Sequence, residues 1–340
     1  MNKHFAYTNI ISLPDAPQIS GLSFRGFQGE SDYPKMVAVI QGSKDADQIE
    51  RVDEVEDIIK NYRHLVNSDP YQDMLFAEID GEVIGYQRVF WYEELDETRI
   101  YKLFGYLLPT WRHKGIGRAM FHQAERRLTE IAATHPAGLP RFLESECADT
   151  ETGKEALIKS EGYDAVRHSF IMVRSDLENI PDLALPEGVN IRPVLPEHYQ
   201  KINDASREAF QDHWGYSLDL EETVEQWFEN PNFDPTLWRV AWEGDQVVGM
   251  VLNFIDKRAN EVYRHKRGWT ENICVRRPWR KKGIARALIV DSLYALKERG
   301  MLEAALGVDT ENVSGALRLY QGLGYQPIKR ISIYRKPLFI

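Results

Sequence analysis

Apolar residues along the chain recur with two periods, and the alternation between them lays out an order of elements. In the second half, Leu237–Trp242 and Val247–Ile255 are apolar runs joined by a Gly-Asp turn, which predicts a β-hairpin. A strand is predicted near Thr270–Val275, followed by an amphipathic run of helical period over Ile284–Arg299. Glu303–Val308 reads as a further strand, Ser314–Leu323 as a helix capped by Asn312 or Ser314, and Arg330–Arg335 as a closing strand. Ahead of the hairpin, Val189–Val194 predicts a short strand, Pro196–Phe210 a helix with proline near its start, and Leu220–Glu229 a second helix. The first half follows the same order: a hairpin at Met74–Tyr92, a strand at Arg99–Leu108, a helix at Ile116–Ala133 and a strand at Arg141–Cys147.

The repeat is also visible residue by residue. Asp80-Gly81-Glu82-Val83-Ile84-Gly85 recurs as Glu243-Gly244-Asp245-Gln246-Val247-Val248-Gly249, and Arg112-His113-Lys114-Gly115-Ile116-Gly117 recurs as Arg280-Lys281-Lys282-Gly283-Ile284-Ala285. Glu161-Gly162-Tyr163 recurs as Leu323-Gly324-Tyr325, and the three offsets are 164, 168 and 162 residues. Landmarks in one order at nearly constant offset mark a duplication. The prolines and glycine of 179–188 suit a linker, so the expected domains are 1–178 and 189–340. A length of 340 residues agrees with two domains, and the expected class is α/β, each domain a mixed sheet flanked by helices.

Composition narrows the function. Hydrophobic residues at 43% and charged residues at 28% exclude disordered and fibrous classes. No apolar run reaches the ~18–20 residues of a membrane span, and Met1–Phe5 lacks a signal-peptide layout. Cys147 and Cys274 give neither a zinc cluster nor a disulfide framework, so the expectation is a metal-free protein of a reducing cytoplasm. The net charge of −10 lies wholly within residues 1–178, with 20 basic against 30 acidic side chains. Positions 257–286 instead carry eleven Lys and Arg against Glu261 and Glu271, a field that favours an anionic ligand unless it is only a solvated face. The acidic balance and the lack of an arginine-rich tail argue against nucleic acid as a partner.

Chemistry begins at the glycine loop. A strand running into Arg-x-x-Gly-x-Gly/Ala and then a helix offers successive backbone N–H groups and a positive helix end to a pyrophosphate. The spacing fits neither an ATPase phosphate loop nor a dinucleotide fingerprint. Cys274-Val275-Arg276-Arg277-Pro278-Trp279-Arg280-Lys281-Lys282-Gly283-Ile284-Ala285 resembles the acyl-CoA-binding motif of the GNAT superfamily of N-acyltransferases. Val308-Asp309-Thr310-Glu311-Asn312, Ala316, Leu319-Tyr320 and Leu323-Gly324-Tyr325 resemble that family's second motif, and the two-domain layout resembles its tandem members.

The resemblance implies acetyl-CoA as acyl donor and a primary amine, more readily a small molecule than a protein, as acceptor. It implies that amides of Arg280–Ala285 bind the pyrophosphate, with Arg280, Lys281 and Lys282 adding charge. It further implies that amides of the strand ending at Cys274 and Val275 polarise the thioester, that Asn312 touches pantetheine, that Tyr320 is the general acid and that Glu271 is the base. The alternative reading of Glu271 is an exposed strand carboxylate paired with a nearby arginine, and that of Tyr320 a core aromatic. Asp212, His213 and Trp214, after the first helix of the second copy, are expected near the acceptor, with His213 a reserve base. Cys274 alternates away from Glu271 along a regular strand and reads as buried rather than nucleophilic.

Offsets place Leu103 at the position of Glu271, Thr150 at that of Asn312 and Ile158 at that of Tyr320. The first copy keeps Arg112, Gly115 and Gly117, either a second cofactor loop or scaffold alone, without the reacting groups. The resulting expectation is an N-acetyltransferase whose chemistry lies in residues 189–340, acting as monomer or homodimer. The rival is a non-catalytic CoA-binding regulatory protein, which needs neither Tyr320 nor Glu271.

Overall fold

The computed structural model describes residues 10–312 and 315–340, so the readings at Met1–Phe5 and at Ser314 lie outside the described residues. The first copy runs β1 (Leu22–Arg25), α1 (Tyr33–Lys44), α2 (Val55–Arg63), α3 (Pro70–Asp73), β2 (Met74–Ile79), β3 (Glu82–Glu93) and β4 (Arg99–Leu107). It continues through α4 (Ile116–Ala133), β5 (Arg141–Ala148), α5 (Thr152–Ser160) and β6 (Asp164–Arg174). The second copy holds β7 (Val189–Ile191), α6 (Tyr199–Phe210), α7 (Val224–Phe228), β8 (Arg239–Glu243), β9 (Gln246–Phe254), α8 (Lys257–Tyr263) and β10 (Arg267–Val275). After these come α9 (Ile284–Glu298), β11 (Glu303–Asp309), α10 (Ala316–Gln321) and β12 (Gln326–Pro337).

Two compact units emerge, with limits different from 1–178 and 189–340. One runs to Val166 and takes back Ser332–Ile340; the other is Arg167–Ile331. Packing explains the difference. The stretch read as a linker is docked, since Leu177 is buried with Ile180 and Leu185 against the α9 core and Arg174 donates to the Asn179 carbonyl at 2.7 Å. The chain end belongs to the first unit because buried Arg335 pairs with Glu144 at 2.9 Å and with Glu94, and Tyr334 donates to Glu155 at 2.7 Å.

In the first unit β1–β2–β3–β4 are antiparallel neighbours and β5 joins β4 in parallel. In the second unit β7–β8–β9–β10 are antiparallel, β11 joins β10 in parallel, and residues 169–174 of β6 flank β11 antiparallel. Period-2 alternation divides the second sheet's side chains between two layers. Met250 and Leu252 join Tyr199, Ile202 and Ala205 of α6, while Val251 joins Ile284, Leu288 and Leu293 of α9. Burying aliphatic side chains of this size contributes ~1.5–3 kcal/mol each, so both helices are fixed to the strands that carry the site. Among the described residues no helix is long and apolar enough to cross a membrane.

Candidate active site

The site of the second unit starts from a fork in the sheet. β10 and β11 pair only from Arg267 to Trp269, opposite Glu303 to Ala305, and then diverge. Thr270 marks the base of the fork, its hydroxyl 3.1 Å from both the Ala305 carbonyl and the Tyr325 hydroxyl. Beyond it β10 carries a bulge. Glu271 faces Leu252 and Cys274 faces Met250, so one extra residue lies between them, and Asn272 takes φ 48°. Leu252 and Met250 share a sheet face, so Glu271 and Cys274 share one too. This corrects the expectation that Cys274 alternates away from Glu271, because the inserted residue resets the alternation.

A cavity of about 1070 Å³ opens in the fork. Glu271, Cys274, Val275, Arg280, Lys281, Gly283, Ile284, Ala285, Asn312 and Tyr320 line it together, as do Asp212, His213 and Trp214; Lys282 stands outside that lining. Sequence reasoning missed Arg167, Ser169, Thr270 and Gly307 as site residues, which also line it, as do Asp309 and Glu311 of the second motif. Arg167 and Ser169 sit on a strand that the repeat assigns to the other copy, so no periodicity within the second copy points to them.

Glu271 is half-buried, and burial pushes its carboxyl up to about 7, against a single opposing contribution from the Gly307 backbone N–H. No ion pair to Glu271 exists among the described residues, so the arginine-paired reading does not hold. Tyr320 is buried on the α9 side of the sheet, 5% exposed and 6.2 Å from Tyr325 between ring centres. Burial, then the Tyr325, Glu271 and Cys274 charges, raise its hydroxyl above the usual phenol range and keep it protonated. The Cys274 thiol, 7% exposed, is pushed up to about 12 by burial.

The loop after β10 has the backbone of an anion nest. Lys281 and Gly283 take φ 63° and 84°, both left-handed, and α9 starts at Ile284 without a side-chain cap. The first N–H groups of a 15-residue helix therefore stay open to a ligand. Arg280 differs from its expected role. Its guanidinium bonds the Val275 carbonyl at 2.9 Å, the Ala209 carbonyl at 3.1 Å and Asp212 at 2.5 Å, tying β10 to the end of α6. Asp212, which also takes Arg277, is held well below the usual carboxylate range by those two hydrogen-bonded guanidiniums. It is a structural anchor at the cavity wall. His213 is lowered chiefly by burial. Trp214 lies with its ring under Arg167, 5.4 Å away, and Arg167 pairs with Asp309 at 2.6 Å and with Glu311 at 3.3 Å. α10 begins after Gly315, which offers no side-chain cap and whose N–H donates to the Asn312 carbonyl at 3.1 Å.

The first unit copies the scaffold. β4 and β5 pair from Arg99 to Lys102 and then diverge, and His113 and Gly115 take φ 59° and 87°. Arg112 repeats the anchor, bonding the Leu107 carbonyl at 2.9 Å and Asp47 at 2.5 and 2.8 Å. Arg112, Gly115 and Gly117 line a smaller cavity of about 420 Å³. β4 has no bulge, however, its register to β3 running unbroken from Arg99 to Leu107. Counted back from the equivalent pairs Gly85–Leu107 and Gly249–Val275, the residue in the place of Glu271 is Phe104, not Leu103 as the offset suggests. Ile158 is fully buried.

Comparison with known proteins agrees with this geometry. The model of the acetyltransferase (GNAT) family matches residues 37–159 and again 199–325. A mycothiol acetyltransferase of Geodermatophilus obscurus is 26% identical over 258 residues, 75% of this chain and 79% of that protein. Another, from Thermobifida fusca, is 27% identical over 241 residues, covering 64% and 69%. Among solved structures, a GCN5-related N-acetyltransferase from Sphaerobacter thermophilus superposes with a TM-score of 0.69 at 26% identity, over 96% of this chain and 97% of that one. A tandem GNAT protein from the clavulanic acid biosynthesis pathway shares the fold, with a TM-score of 0.63 at 14% identity over 93% and 98%. With the family model matched in both copies and a fork, bulge and glycine loop at its core, the chain belongs to the GNAT family as a tandem N-acetyltransferase.

Proposed function

We propose that the chain moves an acetyl group from acetyl-CoA to a primary amine of a small molecule, and that the chemistry lies in the unit Arg167–Ile331. The observation that carries this reading is Glu271, a carboxyl held near neutrality without an ion pair, in the same cavity as a buried tyrosine that stays protonated. The open amides of Lys281–Ala285 receive the pyrophosphate, with Lys281 and Lys282 supplying exposed charge. Pantetheine enters the fork, where unpaired amides of β10 beyond the bulge polarise the thioester carbonyl. Glu271, directly or through a water, takes a proton from the acceptor ammonium. The free amine then attacks the thioester carbon, a C–N bond forms, the C–S bond breaks as Tyr320 gives its proton to the departing sulfur, and the proton shed by the new amide nitrogen restores Tyr320 by way of solvent. Holding both reactants in one cavity supplies proximity that a collision in water lacks.

The mycothiol acetyltransferases among the relatives support a small acceptor over a protein. The left-handed loop kept by the first unit favours a second reading for that unit alone, as a further CoA holder without chemistry. Calorimetric titration of acetyl-CoA into wild type, Gly283→Trp and Gly115→Trp tests both. One site lost only in Gly283→Trp puts the donor in the second unit; two sites in wild type, one surviving in each variant, mean that both loops bind. No binding at all overturns the proposal.

A further inference from the structure

The first unit carries a half-buried cation, Arg88, that makes no ion pair among the described residues. Arg88 stands on β3 directly opposite Phe104 of β4. Its guanidinium carbon lies 5.0 Å from the Phe104 ring centre, 5.3 Å from Phe90 and 5.4 Å from Tyr62 of α2. Its Nε and the Tyr62 hydroxyl are both sealed from solvent, and neither makes a hydrogen bond. Burial lowers the Arg88 guanidinium below its ordinary value, against weaker raising contributions from Tyr62, Tyr86 and Asp73. The more deeply buried arginines of this unit are compensated: Arg25 by Asp32 and Glu78, Arg335 by Glu94 and Glu144. Neighbouring acids are already engaged, Asp73 with Arg127 at 2.9 Å and Asp53 with Arg51.

The position of Arg88 gives this a meaning. Three residues on from Gly85, it occupies the place that Leu252 holds three residues on from Gly249. Where the second unit sets Leu252 against Glu271, the first sets Arg88 against Phe104. A carboxylate that takes a proton from a cation is thus replaced by a cation framed with rings. All four side chains are partly exposed, so the frame is open on one side. The terminal guanidinium nitrogens, unlike Nε, are not sealed without a partner, and the Arg88 side chain is partly exposed, so a two-pronged donor can be reached from outside. A planar anion satisfies both requirements at once, its carboxylate on the fork and its flat body against the aromatic faces.

We propose that this face of the first unit binds an aromatic carboxylate, through Arg88 and the rings of Tyr62, Phe90 and Phe104. The site lies apart from the glycine loop and does not depend on the acetyltransferase reading. The test is calorimetric titration of 2-naphthoate, with 2-naphthylmethylamine as the probe of opposite charge, into wild type, Arg88→Met and Arg88→Lys. One naphthoate per chain is expected, weakened at least tenfold in Arg88→Met and several-fold in Arg88→Lys, which keeps the charge but loses the fork. The amine is expected to give no saturable heat. Uptake of naphthoate at equal affinity in wild type and Arg88→Met overturns the proposal, as does no saturable uptake by wild type at millimolar probe. Equal uptake of acid and amine also overturns it, since apolar stacking alone would then account for binding. Should Arg88→Met fail to fold, Arg88→Lys with a wild-type melting temperature carries the same comparison.

Discussion

Replacing Glu271 by glutamine should cost activity and gain stability, and both effects have a pH signature. Burial moves this carboxyl from 4.5 to about 7. Below pH 4.5 it is neutral in folded and unfolded chains alike. As pH rises, the unfolded chain ionises first, so the folded state loses relative stability until pH passes about 7. At about 1.36 kcal/mol per pH unit, the loss approaches ~3 kcal/mol by pH 8 and is below ~1 kcal/mol at pH 5. Glutamine keeps the shape and carries no such term, so Glu271→Gln should exceed wild type in stability by up to ~3 kcal/mol at pH 8, and by little at pH 5. Denaturant unfolding at the two pH values measures this. In the wild type, the ionised base rises from about a tenth to about nine-tenths between pH 6 and pH 8, so kcat/KM should climb about tenfold over that range. The variant should lose on the order of 10²–10⁴-fold in kcat and show no such limb. A variant profile with the same rising limb, or a wild-type midpoint near 4.5, refutes the reasoning.

Other outcomes follow from the same geometry. Tyr320→Phe should lower kcat by roughly ten- to a thousandfold with acetyl-CoA affinity nearly intact, and unchanged turnover in a steady-state assay removes Tyr320 from the mechanism. The Cys274 and Cys147 thiols, both buried and pushed up to about 12 and about 11, should resist an aromatic disulfide reagent in the native chain at pH 8. In guanidinium both should react; a thiol that reacts within seconds in the native chain contradicts the burial described here.

Much of this site was readable from local pattern. The hairpins, the helices after each glycine loop and the loops themselves depend on runs of neighbouring residues, and the left-handed torsions at Gly115 and Gly283 follow from residue type. What escaped were effects with no local signature. The bulge at Asn272 looks like any strand position, yet it turns Cys274 to the face of Glu271 and moves the equivalent residue in the first copy from Leu103 to Phe104. Arg280 carries a phosphate-binder's charge in sequence, but its reach to Ala209 and Asp212 depends on how α6 ends, 68 and more residues away. Residues 179–188 look like a connector because they hold prolines and a glycine, and composition does not register that Ile180 and Leu185 are packed.

The bulge also bears on how the two halves of this gene can change. Putting an acid at Phe104 or Leu103 leaves the first unit's strand one residue short, because an unbroken ladder aims every later amide and side chain differently from its twin. A substitution at either position therefore leaves the β4 register unbroken, and reproducing the bulge takes an inserted residue. In the second unit the loss of one residue near Asn272 would return β10 to regular alternation and turn Cys274 away from the face of Glu271. The two copies thus differ by one residue of strand length, a difference that substitution alone does not undo.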